Sequence, residues 1–354
     1  MKKLENNPCS CNSSQTQSTE ENPWIIDSLK TPAGQVPRVS TKLTWVDRFG
    51  GWKARWRYRM HYRVPPGLYA VGNPTEEDVI LVTANYKLTF DKLRAELEGL
   101  DAWLLVLDTH GINVWCAAGK GLFSTQEVIR QLQSTSIEAV ATNRTLILPQ
   151  LAAPGVSGHQ VKKETGYTVI FGPVHASDIA SFLKNGKKAP PEMRTIQFPF
   201  LDRLVLIPVE LVSVLKYFPI YFILAGMVGF AFGKGIGSML ATLSLPVLGA
   251  LLVGTVLVPT LLPYLPFRSF TLKGWIPGIL WASAVSVWAG AGTVQFFGNL
   301  LLLPVLSAGF ALTFTGSTPF TSQTGVNKEI RLFARPMAIS AVLGVAVMVA
   351  NWLV

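Results

Sequence analysis

The chain has 354 residues, 49% of them hydrophobic and only 15% charged, and it carries a net charge of +10 at neutral pH. That length allows two domains, and the placement of charge predicts that they differ in kind. Three cysteines, two of them (Cys9 and Cys11) in a polar opening stretch, exclude a disulfide framework and suit a reducing compartment.

In chain order, residues 1–40 are expected to form a disordered polar tail. The opening "MKKLENNPCSCNSSQTQSTEENP" lacks the apolar core of a signal peptide. A cytoplasmic domain is expected over 41–200. Near its start, "WKARWRYRMHYRV" (52–64) alternates aromatic and basic residues and predicts a strand with one packed and one positive face. That row of arginines is either a guarded edge strand or a dock for an acidic partner or for anionic lipid headgroups. Strand-like and helix-like runs then alternate. "DVILVTANY" (78–86) reads as a strand, "TFDKLRAELEGL" (89–100) as a helix and "AWLLVLDT" (102–109) as a strand. "STQEVIRQLQ" (124–133) reads as a helix with a Ser124–Glu127 capping box. "TLILPQ" (145–150) and "YTVIFGPV" (167–174) read as strands and "HASDIASFLK" (175–184) as a helix. This alternation predicts an α/β, Rossmann-like domain with a mainly parallel sheet, whose ligands lie at the carboxyl ends of strands.

Residues 201–354 are predicted to be an all-α membrane domain, since Leu204–Val354 holds seven Lys or Arg and two acids. Five apolar stretches reach bilayer length, at about 209–232, 236–262, 275–294, 296–316 and 336–354. Arg268 and Lys273 follow the second span and Lys328, Arg331 and Arg335 the fourth, while only Lys234 follows the first. The positive-inside pattern puts the first domain in the cytoplasm and the C-terminus outside the inner membrane. It also accounts for the basic balance without nucleic acid. Intramembrane charge is sparse beyond Glu210 and Lys216, which argues against an ion pump.

One motif carries chemistry. "GINVWCAAGKG" (111–121) follows an apolar strand and holds Cys116. Asn113 is a favoured N-cap for a helix through Val114, Trp115, Cys116, Ala117 and Ala118. The thiol then sits in the first turn, where the helix dipole favours a thiolate, with Lys120 four residues on. The small residues Ala117, Ala118 and Gly119 let a flat ligand approach. A phosphate loop fails, because Val114 stands where its first glycine belongs and Gly121 where its Ser or Thr belongs. A Cys–His hydrolase using His110, His159 or His175 and a plain buried cysteine both remain open from these residues alone.

"NVWCAAGK" (113–120) resembles the cap-helix signature of the HgcA family, the corrinoid proteins of microbial mercury methylation. "LVTANYKLTFDKLR" (81–94) and "LPQLAAPGVSGHQVKKETGYTVIFGPVHASDI" (148–179) resemble the corrinoid-binding domains of corrinoid iron–sulfur proteins, and together the stretches cover most of 65–185. Those relatives carry a four-cysteine cluster, whereas Cys9-x-Cys11 cannot hold one, so no iron–sulfur cluster is expected in this chain. The resemblance implies a cobalamin-type corrinoid with Cys116 as lower axial ligand of its cobalt. It further implies that Asn113, Val114, Trp115, Ala117, Ala118, Gly119 and Lys120 form the helix beneath the ring. Thr83, Ala84, Asn85 and Tyr86 would border the corrin. Gln150, Ala153, Pro154, Gly155 and Val156, with Gly172 and Pro173, would hold the ring edge and nucleotide tail. The implied activity is a corrinoid-dependent methyltransferase that passes a methyl group from methyl-Co(III) to Hg(II). A soft thiolate donor would favour release of a carbanion-like or radical methyl to that soft electrophile. The implied partners are a reducing HgcB-like dicluster ferredoxin and a folate-linked methyl donor. The competing expectations are a membrane-bound methyl carrier of the acetyl-CoA pathway and a non-enzymatic corrinoid sensor.

Overall fold

The computed structural model describes residues 22–353 apart from 59, 60, 232, 234, 235 and 322, so Cys9 and Cys11 lie outside the described residues. The chain divides into two compact units near residue 195.

The first unit runs β1 (Ile25–Thr31), β2 (Gly34–Val39), α1 (Trp45–Lys53), β3 (Gly67–Val71), β4 (Val79–Ala84), α2 (Lys87–Ala95) and β5 (Ala102–Leu107). It continues through α3 (Val114–Gly119), α4 (Thr125–Thr135), β6 (Thr145–Leu148), α5 (Gly158–Thr165), β7 (Thr168–Phe171), α6 (Ile179–Lys184) and α7 (Pro191–Arg194). The seven strands form one sheet in the order β1-β2-β3-β5-β4-β6-β7. Neighbours from β5 to β7 are parallel, while β3 is antiparallel to β5 and β1 to β2. Strands β4 (VILVTA) and β5 (AWLLVL) are apolar without alternation because the sheet is covered on both faces. Ile80, Val82, Leu105 and Leu107 pack beneath α3 and α4, and Leu81, Leu104 and Val106 pack against Phe90, Leu97 and Phe182 on the other face.

Two expectations fail here. The expected disordered tail 1–40 contains a hairpin, β1–β2, that extends the sheet. Its polar residues alternate with Ile25, Leu29, Val36 and Val39, and Trp24 beside it is buried against Tyr69 and Phe90. Of the strand expected over 52–64, residues 52–58 are instead the end of α1 followed by a π-helical turn, Ala54–Tyr58, while 59 and 60 lie outside the described residues. A complete capping box starts α1: Thr44 Oγ1 accepts from the Asp47 N–H, and the Asp47 carboxylate accepts from the Thr44 N–H.

A buried ion network joins α1 to α2. Lys87 Nζ lies 2.8 Å from Asp47 and 2.6 Å from Asp91, and Arg94 lies 2.9 Å from Asp47 and 2.7 Å from Asp91. Burial alone would raise the Asp47 pKa, but the Lys87 ammonium, the Thr44 donors and Arg94 together hold it well below the usual carboxylate range. A carboxyl depressed in the native state stabilises the fold above its unfolded value of about 4 and loses that contribution as pH falls towards its native value. The denaturant midpoint of the full chain in detergent is therefore expected to hold from pH 7 to 5 and to drop below about pH 4. Asp47→Asn should flatten that acid limb.

The second unit is helical: α8 (Phe200–Leu215), α9 (Phe218–Ala231), α10 (Ile236–Leu252), a π-helical turn (Val253–Leu257), α11 (Val258–Leu261), α12 (Phe270–Trp288), α13 (Thr293–Thr313) and α14 (Gln323–Leu353). Among the described residues three stretches are long and apolar enough to cross a membrane: Ser244–Leu261, Thr293–Gly316 and Thr324–Leu353. A fourth is present if the α8–α9 pair, bent by 42°, counts as one. Five were expected. The stretch 209–232 breaks near Lys216, and 275–294 corresponds to α12, which is diluted by Lys273, Gly274, Pro277, Gly278 and two serines.

Small and polar residues of α12 meet α13 along its length. A Cβ on Gly274 would lie 2.6 Å from Ala308 Cα, and one on Gly278 would lie 2.7 Å from Pro304 Cα. Ser307 Oγ donates to the Gly274 carbonyl at 2.9 Å, and Asn299 Nδ2 donates to Ser286 Oγ at 3.0 Å. The sequence positions descend on one helix as they rise on the other, so the pair is antiparallel.

Candidate functional site

The strand order reverses between β5-β4 and β4-β6-β7, so a crevice opens at the carboxyl ends of β4 and β6. A cavity of about 300 Å³ occupies it. Thr83 from β4, Leu148 from β6 and Pro149 after it, Gly172 and Pro173 after β7, and the N-cap Asn113 with Val114 and Trp115 of α3 all line it. Seven of the residues singled out in the sequence, the candidate base His175 among them, thus meet at one place. Thr89 and Lys92 of α2, with Val174 and His175, complete the wall. The strand-end rule points to Leu148 and Pro149, whereas Thr89 and Lys92 lie within the resembling stretch 81–94 but carry no signal of their own as ligand groups.

The helix α3 is held from three sides. Asn113 Oδ1 accepts from the Cys116 N–H at 3.0 Å, as its N-cap position predicts. Val114, Ala117 and Ala118 are buried in the core, while Trp115 and Cys116 are half-buried and Gly119 and Lys120 are exposed. The role of the small residues therefore divides. Ala117 and Ala118 admit protein, because a Cβ on Gly155 would stand 2.2 Å from the Phe123 carbonyl and 3.1 Å from Ala118 Cα. Gly155 and the buried Val156 consequently seat α3 on the loop after β6. Gly119 faces open space, three residues from Cys116 on the outward side of the helix. Cys116 itself does not line the cavity; it stands on the helix face beside it.

The segment before α3 is fixed by Asn85, which is 1% exposed. Asn85 Oδ1 accepts from the N–H of Thr109 at 3.1 Å and of Gly111 at 2.9 Å, and from Thr109 Oγ1 at 2.9 Å. Its Nδ2 donates to Asp108 at 3.0 Å. Asn85, expected to border a ligand, spends these bonds on the loop that aims α3, and its neighbours Ala84 and Tyr86 are buried with it. His110 and Gly111 both take left-handed φ in that loop, at 55° and 73°. The capping box at α4 is also half redirected. Ser124 Oγ accepts from the Glu127 N–H, but the Glu127 carboxylate accepts from the Asp108 N–H at 2.9 Å. Asn85→Ala is expected to cost about 1–3 kcal/mol, as buried donors lose their acceptor. Amide hydrogen exchange at Thr109 and Gly111 should accelerate, and unchanged exchange would remove Asn85 from this role.

On the loop after β6, Gln150 Oε1 is buried and has no hydrogen-bond partner. Ala153 is half-buried and Pro154 exposed. A buried acceptor without a partner is uncommon, and its missing donor must come from a bound group or water.

The first unit is an α/β domain with its crevice at the switch point. Residues 58–183, which contain that crevice and Cys116, match the CO dehydrogenase/acetyl-CoA synthase delta subunit family. The acetyl-CoA decarbonylase/synthase complex subunit gamma of Methanopyrus kandleri is 37% identical over 123 residues, covering 34% of this chain and 26% of that protein. The subunit of the same name from Archaeoglobus fulgidus is 34% identical over 136 residues, covering 38% of this chain and 28% of the relative. That from Methanocaldococcus jannaschii is 33% identical over 124 residues. The chain spans about a quarter of the length of the curated relatives it matches.

Proposed function

We propose that the first unit binds a corrinoid at the carboxyl end of its sheet and that the chain is a membrane-held methyl carrier of acetyl-CoA chemistry. The observation that carries this reading is that one matched segment, 58–183, contains both the switch-point cavity and the thiol-bearing helix α3. The residues suit the cofactor. The outward face of α3 offers a half-buried thiol beside a glycine with open space above it, and Gln150 Oε1 is a buried acceptor awaiting a donor such as a corrinoid amide. The cavity is smaller than a whole corrinoid and is of side-arm size, apolar with a few polar groups.

In this reading Cys116 would hold the corrinoid through its cobalt, Asn113 would fix that residue's helix, and Trp115 would wall the crevice. Thr83, Gly172 and Pro173 would receive the nucleotide tail. When bound, the corrinoid supplies a cobalt that takes up and releases a methyl group. The chain's own part is to hold the thiol sulfur in place through the Asn113 cap and the Asn85 latch, and to shield one side of the ring from water.

The second reading is that Hg(II) accepts the methyl group, with an HgcB-like dicluster ferredoxin as reductant and a folate-linked methyl donor. The specific observation in its favour is the outward Cys116 on a helix capped by Asn113, within the "NVWCAAGK" signature. A soft thiolate donor suits a soft electrophilic acceptor. The relatives' names concern acetyl-CoA and not mercury, so the carbon-pathway carrier is placed first.

For the second unit we propose five crossings of the inner membrane, counting α8–α9 as one bent span. The antiparallel packing of α12 along α13 makes α12 a span wherever α13 is one, despite its small and polar residues. The distribution of Lys and Arg then keeps the first unit in the cytoplasm and the C-terminus outside.

The test loads the full-length chain anaerobically with methylated corrinoid and offers either an acetyl-CoA synthase nickel site with carbon monoxide and coenzyme A, or Hg(II). Acetyl-CoA formation supports the carrier, and methylmercury formation that needs Cys116 supports the second reading. Turnover with neither acceptor, with corrinoid bound, removes both.

A further inference from the structure

The short helix α1 is inverted for a surface helix of a soluble unit. It buries its acidic residue, Asp47, and shows its aromatic ones. Asp47 and Gly51 face inward, while Trp45 is 85% exposed, Val46 67%, Phe49 61% and Trp52 55%. At 100° per residue Trp45, Phe49 and Trp52 share one stripe, with Val46 at its edge. Arg48 and Lys53 border that stripe on opposite sides, and both are exposed.

The orientation is built in. The Thr44–Asp47 box sets the start of the helix, and the Asp47 carboxylate is held by Lys87 and Arg94. Gly50 admits Tyr62, whose hydroxyl oxygen would stand 2.7 Å from a Cβ placed there. Rolling the aromatic stripe inward would break a buried ion network, so the aromatic side is displayed at a fixed angle.

We propose that α1 is an interfacial helix that lays Trp45, Val46, Phe49 and Trp52 into the headgroup region of the bilayer, with Arg48 and Lys53 against anionic lipid phosphates. Tryptophan is the side chain best suited to that layer, with an apolar body and one N–H donor. A basic rim around an aromatic stripe complements an anionic surface. The inference rests on the membrane reading of the second unit, which tethers the first unit to the bilayer through the short connection between Thr195 and Phe200. A fixed contact of this kind would limit how the corrinoid-bearing unit turns against the membrane.

The test uses the full-length chain, with the photoreactive analogue p-benzoylphenylalanine in place of Phe49, in nanodiscs of mixed zwitterionic and anionic lipid. The same analogue in place of Glu138, exposed on α4's far connection, is the control. The expected result is several-fold more lipid adduct at position 49 than at 138 after irradiation, falling when the anionic lipid is omitted. Equal yields at both positions would overturn the proposal, and so would adducts at position 49 to a protein chain instead of lipid. Failure of the chain to enter nanodiscs at all would overturn the membrane reading itself, and is scored before irradiation.

Discussion

Replacing Cys116 with alanine is expected to lower methyl transfer by roughly 100-fold, the scale on which altering a metal site's ligand shell costs activity. Corrinoid retention should change far less. Cys116 is half-buried on the outward face of α3, and the groups that seat the helix, Val114, Ala117 and Ala118, lie on the other side. Its N–H, which Asn113 caps, belongs to the backbone and survives the substitution. The variant should therefore fold and keep its crevice while losing only the sulfur. Single-turnover rates beside the visible spectrum of the retained corrinoid separate the two effects. Equal rates in both proteins would show that the sulfur takes no part. Cys116→Ser should behave like alanine, since a hydroxyl is a poor soft donor.

The largest effect on stability is expected at Arg94, which is 0% exposed. Its guanidinium pairs with Asp47 and Asp91 and donates to the carbonyls of Ser40 and Lys42. It thereby ties the end of β2, α1 and α2 together. Arg94→Leu would leave two buried carboxylates to share the single ammonium of Lys87. Breaking a buried pair by removing one partner costs about 3–5 kcal/mol, because the remaining charge is stranded. Arg94→Lys should recover little, since one ammonium cannot reproduce the planar fork. Adding Asp47→Asn to Arg94→Leu should cost less than the sum of the two, as the stranded charge is removed with its partner. Denaturant midpoints of the four proteins in detergent check this, and strict additivity would mean that the network is not a unit.

Much of the domain was legible because periodicity and strand-end logic are local. The runs 78–86, 102–109, 145–150 and 167–174 each contain the strand found there, and the cap at Asn113 forms as its residue type predicts. What was not legible depended on partners distant in sequence. The hairpin at 25–39 is paired to β3, and its polar half faces solvent, so its composition resembles a tail. The alternation at 52–64 imitates a strand, but α1, begun by the Thr44 capping box and held by the ion pairs of Asp47 with residues 40 or more positions away, runs into its first residues and a π-helical turn follows. For the candidate site, the small residues around Cys116 were visible and their division was not. Whether an alanine faces ligand or protein depends on where Gly155 comes back, and only the three-dimensional fold supplies that. Asn85 likewise reads as a strand-end ligand group until its bonds to Thr109 and Gly111 are seen.

The central claim is that a corrinoid covers the outward face of α3. It is tested most directly by alkylation of the full-length chain, anaerobically, with and without a cobalamin-type corrinoid, with each cysteine read by peptide mass spectrometry. Cys9 and Cys11 serve as internal references in the same chain. The account predicts saturable corrinoid binding that protects Cys116 while the other two react at unchanged rates. Alkylation of Cys116 at the same rate with the corrinoid demonstrably bound would contradict it.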